Sequence, residues 1–131
     1  MLGAVLGLGI LIVLYRACDP GLFMCADQDV ASIPSPGGDY RAHIYTRDCG
    51  ATTTEATHVA LVKTRWLLPN ETEIVYVADY GDGAIPPGKD TEVRVHWVSE
   101  TEMVVAHHEG VVLWKTAASA LGVSIRHESS R

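Results

Sequence analysis

The most distinctive segment of this 131-residue chain is a run of hydroxyl-bearing and small residues from Asp48 to Thr54, where the order is Asp-Cys-Gly-Ala-Thr-Thr-Thr. Hydroxyls, together with the backbone amides of small residues, can surround a small polar ligand. We therefore name Asp48, Gly50, Thr52 and Thr53 as candidate ligand-binding residues. The alternative is a structural loop in which the threonines hydrogen-bond to their own backbone.

Histidines supply a second candidate site. His96 lies on one arm of a predicted hairpin, and His107 and His108 lie on the other, so that His96 is placed to face one of them. Neutral imidazoles on paired strands can bind zinc or copper. No carboxylate stands at a spacing that would complete such a site, so surface histidines are the favoured interpretation and no metal ion is expected. The sequence contains no glycine-rich phosphate loop, nucleophile elbow or zinc-protease helix, and no cofactor is expected either.

The three cysteines lie in the first half of the chain and lack the two-residue spacing of a zinc site. Outside the cytosol two of them can form a disulfide, and Cys25 with Cys49 is the predicted pair because it joins the segment before the first predicted strand to the end of that strand. Cys18 is then left over: it is free, pairs with a second chain or replaces Cys25. The alternative role for Cys49 is a nucleophile assisted by a histidine.

The N-terminus is apolar or glycine from residue 2 to residue 14, and the first charged side chain is Arg16. We interpret residues 1–17 as a hydrophobic helix that serves as a membrane anchor or a signal segment. Signal cleavage after Ala17 or Ala26 would place the bulky Tyr15 or Met24 three positions before the cut, which favours an uncleaved single-pass anchor. A buried N-terminal element is the alternative, but its three glycines make it a poor helix.

Composition limits the classes of partner. The formal net charge is −6, and the basic residues are scattered, which argues against a nucleic-acid surface. Valine is abundant and favours β-structure. Residues 18–34 are expected to be a linker, and residues 35–128 a small all-β domain.

Alternating apolar and polar residues predict about seven strands in that domain, arranged as an antiparallel sandwich or a bent meander. Residues 35–39 form a turn, and 57–66 and 73–80 are apolar on both faces, which is typical of central strands. Residues 116–121 are predicted to hold a helical turn. The predicted strands are 40–47, 57–66, 73–80, 92–97, 102–107, 111–115 and 122–127.

Four short motifs and an upstream cysteine occur in order across residues 25–127. They are a Ser-Pro-x-Gly turn at 35–38, the run Arg-Asp-Cys-Gly-Ala-Thr-Thr at 47–53 with an upstream Cys25, a Val-x-Val-x-Trp strand at 93–97 and a Gly-Val-Ser-Ile strand at 122–125. In these features the chain resembles a family of small bacterial exported or membrane-anchored proteins of unknown function. It departs from that family at Gly37, where Asp is usual, and at Thr54-Glu55. The resemblance implies an exported location and a small all-β fold.

Together these observations favour a membrane-tethered, non-enzymatic binding or interaction module of the bacterial cell envelope. The tether is the N-terminal segment, the domain is periplasmic and the partner is another envelope component. One alternative is a small hydrolytic or metal-dependent enzyme using Asp48, His96 and His107. Another is an inhibitor or immunity-type protein.

Overall fold

Nine β-strands make up the regular structure of the parts of the chain that the computed structural model describes, which are residues 25–49, 55–80 and 93–130. The predicted N-terminal helix and the candidate residues Gly50, Thr52 and Thr53 lie outside these ranges. The strands are β1 (Ala26–Pro34), β2 (Tyr40–Asp48), β3 (Ala56–Lys63), β4 (Glu71–Asp79), β5 (Arg94–Ser99), β6 (Glu102–His108), β7 (Val112–Thr116), β8 (Ser119–Ala120) and β9 (Val123–Ser130). The all-β class is confirmed for these residues.

The first sheet has five strands in the order β1-β2-β3-β4-β7, all of them antiparallel. Its first four strands form a meander in which each strand pairs with the next along the chain. The predicted alternation is visible in β2, where Ala42 and Ile44 are buried and Arg41 is exposed. β3 is buried through its middle because it is a central strand with neighbours on both sides.

The second sheet has four strands in the order β5-β6-β9-β8. β5 and β6 form the predicted hairpin, with Val95 opposite Val105. β6 and β9 are parallel, and the chain between them returns to the first sheet as β7 before it comes back as β8. The sheets are therefore mostly antiparallel, with one parallel pair at the centre of the second sheet.

The inner faces of the two sheets share one hydrophobic core, so the domain is a two-layered sandwich. The largest fully buried side chains are Tyr76, Leu61, Met103, Val59, Val75, Val105 and Val123. Trp97 of the second sheet donates a hydrogen bond from its indole nitrogen to the Ile33 carbonyl at 3.1 Å, and the Tyr40 hydroxyl donates to the Leu121 carbonyl at 2.8 Å. These two bonds tie the layers together.

The two ends of the sandwich differ. At one end, which we call the turn end, lie the β1–β2 turn (35–39), the β3–β4 loop (64–70), the β5–β6 turn around Glu100 and the β8–β9 turn (121–122). At the other, which we call the disulfide end, β1 begins, β2 ends and β9 finishes. The domain therefore begins and finishes at the disulfide end.

Three expectations about the elements need correction. Residues 26–34, within the predicted linker, form β1, because their backbone pairs with β2 although almost all their side chains are exposed. The strand predicted over 57–66 ends at Lys63, and the following apolar residues lie in an exposed loop. Residues 116–121 contain the short strand β8 in place of a helical turn. Within the described ranges, the structure has no helix long and apolar enough to cross a membrane.

Candidate functional site

Asp48 is the only one of the four candidate ligand-binding residues that the structure describes. It is the last residue of β2, it is exposed, and it pairs with Ala26 across the ladder. The other three lie outside the described residues, and the binding role of the segment stays a prediction.

The predicted disulfide between Cys25 and Cys49 is confirmed, with the two sulfur atoms bonded at 2.08 Å. The register explains why this pair meets: Ala26 is paired with Asp48, so the residues just outside that pair are adjacent. The bridge closes the open end of the β1–β2 hairpin and holds an edge strand to the sheet.

The histidines of the hairpin do not face one another. His96 pairs with Val104, and Arg94 pairs with Ala106, so His107 lies beyond the paired part of β5. His96 is also exposed, whereas His107 is buried on the inner face of β6. The expected approach of His96 to His107 or His108 is therefore wrong, and Asp48 lies in the other sheet from both.

His107 instead joins a buried aromatic cluster with Tyr76 and His127. The ring centroid of Tyr76 lies 5.8 Å from that of His107 and 6.2 Å from that of His127. His127 donates from Nε2 to the Ala117 carbonyl at 2.7 Å, while its Nδ1 and the Tyr76 hydroxyl have no hydrogen-bond partner among the described residues. Burial raises the pKa of Tyr76, so its hydroxyl stays protonated. Tyr76 is fully buried, which does not favour chemistry on an external substrate.

A second aromatic row lies on the outer face of the first sheet. Tyr45 stacks on His58 with ring centroids 5.0 Å apart, and the ring centroid of His43 lies 5.3 Å from that of Tyr45. Burial lowers the pKa of His58, and hydrogen bonding to Arg47 lowers the pKa of Asp27 at the adjacent edge. No group of three histidine, cysteine, aspartate or glutamate side chains within the described ranges is arranged to hold a metal ion.

A cavity of about 240 Å³ opens near the disulfide end. Its apolar wall includes Val30, Ile44 and Val93, and Thr46 and Arg94 contribute polar groups. The size suits a few methylene groups or a small ring, which is below the usual range for a drug-sized ligand.

The turn end is held together by the carboxylate of Glu100. One oxygen accepts hydrogen bonds from the Ser35 hydroxyl at 2.5 Å and the Asp39 amide at 3.1 Å, and the other accepts one from the Gly37 amide at 2.5 Å. The Ser35 hydroxyl in turn accepts a hydrogen bond from the Tyr40 amide at 3.0 Å. These bonds, that from Ser35 above all, hold the pKa of Glu100 below its ordinary value. One side chain of the second sheet thereby fixes a turn of the first.

The Glu100 carboxylate lies close against the backbone of Gly37. A Cβ atom at position 37 would lie 2.7 Å from the nearer Glu100 oxygen, which is too close for any side chain to be added without displacing the carboxylate.

The β3–β4 loop is attached to the same turn. Thr64 donates hydrogen bonds from its backbone amide and its hydroxyl to the Asp39 carbonyl, at 2.9 and 2.7 Å. The loop then carries three consecutive apolar side chains, Trp66, Leu67 and Leu68, which we call the apolar tip. They are 91%, 86% and 55% exposed, respectively.

Sequence reasoning missed this surface because it assigned Trp66 to a strand. The signal that points to it is a run of three bulky apolar residues immediately before Pro69-Asn70, a pair that favours a turn. Nothing in the sequence indicates the Glu100 contact, because its partner Ser35 lies 65 positions away.

No protein-family model matches this sequence, and no curated protein or solved structure is significantly similar to the chain. Its function therefore has to be inferred from its own residues and their geometry.

Proposed function

We propose that this chain is a membrane-tethered interaction module of the bacterial cell envelope. In this proposal residues 1–17 anchor the chain, the β-sandwich is periplasmic, and the turn end makes the functional contact. The observation that carries the proposal is the apolar tip, three bulky apolar side chains that are mostly exposed on a loop fixed by hydrogen bonds. Large apolar groups kept in water on an ordered loop are typical of a binding surface.

The position of the tip supports the tethered arrangement. The described chain begins at Cys25, at the disulfide end, and the tip lies at the turn end, so the contact surface is at the far end from the segment that leads to the anchor. A tether at one end leaves the other end accessible to a partner. The edge strand β1 is bridged to β2 by the disulfide, which limits its detachment from the sheet.

The disulfide also supports the proposed periplasmic location of the domain. Disulfides persist in the periplasm and outside the cell and are rare in the cytosol, where thiols are kept reduced. The pair Cys25–Cys49 is a structural bridge between neighbouring strands of the first sheet, and neither cysteine is available as a nucleophile while it is formed.

The enzymatic alternative is not supported by the geometry of its proposed residues. His96 and His107 belong to opposite faces of the second sheet, and Asp48 is at an end of the first. Catalysis by these three groups would need them within hydrogen-bonding reach of one substrate.

The test is the location and thiol state of the full chain in a bacterial host. Three measurements report on the anchor, its orientation and the disulfide together. They are membrane fractionation, detergent extraction and labelling of spheroplasts with a membrane-impermeant maleimide. We expect the chain in the membrane fraction, the β-sandwich open to added protease in spheroplasts, and Cys25 and Cys49 unreactive until reduction. A matched chain lacking residues 2–14 should be released into the soluble fraction. A full-length chain found in the cytosolic supernatant with all three thiols reactive overturns the proposal.

A further inference from the structure

The cavity near the disulfide end lies between the two layers of the sandwich. Its described lining comes from three strands of the first sheet and from the start of β5 in the second. The residues include Val30 and Ala31 of β1, Ile44 and Thr46 of β2, Thr57 of β3, and Val93 just before β5. The cavity is therefore a feature of the interior, separate from the apolar tip at the turn end.

A β-bulge in β1 shapes one wall of the cavity. The pairing of β1 with β2 shifts register between Asp29 and Ala31, so that Val30 is the extra residue. Two consecutive residues, Val30 and Ala31, both line the cavity, although neighbours in a regular strand point to opposite faces. Bulges re-aim side chains in this way and are common beside active sites.

Two threonines pair across the ladder on the inner face of the first sheet. Thr57 is on the same face of β3 as Val59, which is in the core, and it is the cross-strand partner of Thr46. Thr57 is 8% exposed, and neither threonine side chain forms a hydrogen bond with another described residue. A buried hydroxyl without a partner costs free energy. The pair is therefore a polar point in a mostly apolar cavity, and a ligand atom can satisfy it.

The charge of the lining favours a neutral ligand. Arg94 is the one charged residue among the described residues that line the cavity, and it is exposed. It lies between Val93 and Val95, whose side chains contact the core, so its own side chain points to the outer face. A charged group inside the cavity would lose its hydration without gaining a buried partner of opposite charge.

The volume of the cavity limits the occupant to a small molecule. About 240 Å³ exceeds the roughly 150 Å³ of an apolar cavity that binds benzene, so a six-membered ring with one or two substituents fits. A segment of polypeptide would bring backbone amides and carbonyls that all need hydrogen-bond partners. Two threonine hydroxyls cannot supply these partners, so a partner protein or a second copy of the chain does not match the cavity.

We propose that this cavity binds a small neutral molecule with a compact apolar body and one hydroxyl group, such as a simple phenol or alcohol. The ligand hydroxyl bonds to Thr57, and the apolar body packs against Val30, Ile44 and Val93. This inference goes beyond the proposed function and does not rest on it, because the cavity and the apolar tip lie at opposite ends of the domain.

Methyl NMR of the full chain in detergent tests the inference, with isotope-labelled isoleucine and valine. The probes are p-cresol and toluene, which differ only in the hydroxyl group. We expect saturable shifts with both probes at the methyl groups of Val30, Ile44 and Val93. The methyl groups of Val123, which is fully buried beside the β8–β9 turn, should not shift.

The variant Thr57→Val removes the hydroxyl and keeps the shape of the side chain. It should weaken the binding of p-cresol by roughly fivefold and leave that of toluene undiminished, because only p-cresol loses a hydrogen bond. Without a probe it should melt no lower than the unaltered chain, since it removes an unpaired hydroxyl. Thr72→Val makes the same exchange at an exposed position of β4 and should change the binding of neither probe.

Filling the cavity gives a second test. Val93→Phe should abolish the binding of both probes, and circular dichroism shows whether this variant is folded. If it is not folded, the comparison of the two probes in Thr57→Val still decides.

Four results would overturn the inference. The first is the absence of saturable shifts at the lining methyl groups, and the second is an equal shift at Val123, which indicates non-specific binding. The third is equal weakening of both probes in Thr57→Val together with a lower melting temperature, which indicates a purely structural hydroxyl. The fourth is a set of lining methyl shifts that follow protein concentration in the absence of a probe, which assigns the cavity to a contact between copies of the chain.

Discussion

Removing the Cys25–Cys49 bridge should weaken the domain chiefly through β1. Eight of the nine residues of this strand are exposed, and Ile33 is the only one that is partly buried. Among the strands that the structure describes, β1 pairs only with β2, as the edge of the first sheet. A strand with so little buried surface is held mainly by its backbone hydrogen bonds to β2 and by the disulfide beside its first residue.

The size of the effect follows from the loop that the bridge closes. The two cysteines are 24 positions apart, so the closed loop contains about 25 residues. In the chain-entropy picture such a cross-link removes roughly 12 cal/mol/K from the unfolded state, or about 3.5 kcal/mol at 25 °C. Removing a native disulfide from a small secreted domain typically lowers its free energy of unfolding by an amount in the same range, about 2–5 kcal/mol.

Urea unfolding of the double variant Cys25→Ser, Cys49→Ser measures this value. Tryptophan fluorescence is a suitable signal because Trp97 is buried between the sheets and loses its environment on unfolding. We expect the free energy of unfolding to fall by about 3 kcal/mol relative to the oxidised chain, with hydrogen exchange accelerated most at the amides of β1. Cys18→Ser, which leaves the bridge intact, should match the unaltered chain.

Two results would refute this reasoning. A loss of less than about 1 kcal/mol would show that the β1–β2 hairpin is constrained without the bridge. Destabilisation by Cys18→Ser equal to that of the double variant would show that Cys18 is a bonded partner in solution.

Three further predictions concern the core and two titrating groups. Leu61→Ala, at a fully buried position, should lower the free energy of unfolding by about 2–5 kcal/mol in urea titration, whereas Val98→Ala at a half-exposed position should change it by less than about 0.5 kcal/mol. The hydrogen bond from Ser35 holds the pKa of Glu100 below its ordinary value of 4.5 in the folded chain. The stabilisation from the ionised carboxylate is therefore complete above pH 4.5 and is lost as the pH falls through the lower folded pKa. In thermal melts from pH 7 to 3, the melting temperature of Glu100→Gln should fall less than that of the unaltered chain. Burial lowers the pKa of His58 below 6.5, so the unfolded chain takes up the proton first and stability should decline as pH falls below 6.5, a decline that is absent in His58→Phe.

The strands that bury an apolar face were predictable from the sequence. Alternation placed β2, the β5–β6 hairpin and β9 close to their observed bounds, because each has one row of side chains in the core. β1 was missed for the opposite reason: its sequence, with Asp27 and Asp29, has no apolar row, and it is held by backbone pairing, the disulfide and the Arg47–Asp27 ion pair at 2.8 Å. Hydrophobic periodicity cannot reveal an edge strand in which Ile33 is the single partly buried side chain.

The candidate site was less predictable than the fold. The disulfide was predicted because Cys25 precedes the first predicted strand and Cys49 follows its end, but the hairpin register that separates His96 from His107 depends on a two-residue turn and an irregular pairing near Ser99. The contact of Glu100 with the β1–β2 turn joins residues more than 60 positions apart, and such a contact follows only from the packing of the two sheets. The apolar tip was concealed by the rule that apolar residues are buried, which it breaks.

The parallel pairing of β6 with β9 has a consequence for how the molecule is assembled. β6 lies in the middle of its sheet, and one whole side of it is satisfied only by the last strand of the described chain. The meander β1–β4 contains neighbours in sequence and can form early, whereas this layer must wait until the carboxyl-terminal strand has been synthesised and brought back. Shortening the chain by a few residues at that end would therefore leave the backbone of a central strand open to other chains, and aggregation is the expected result.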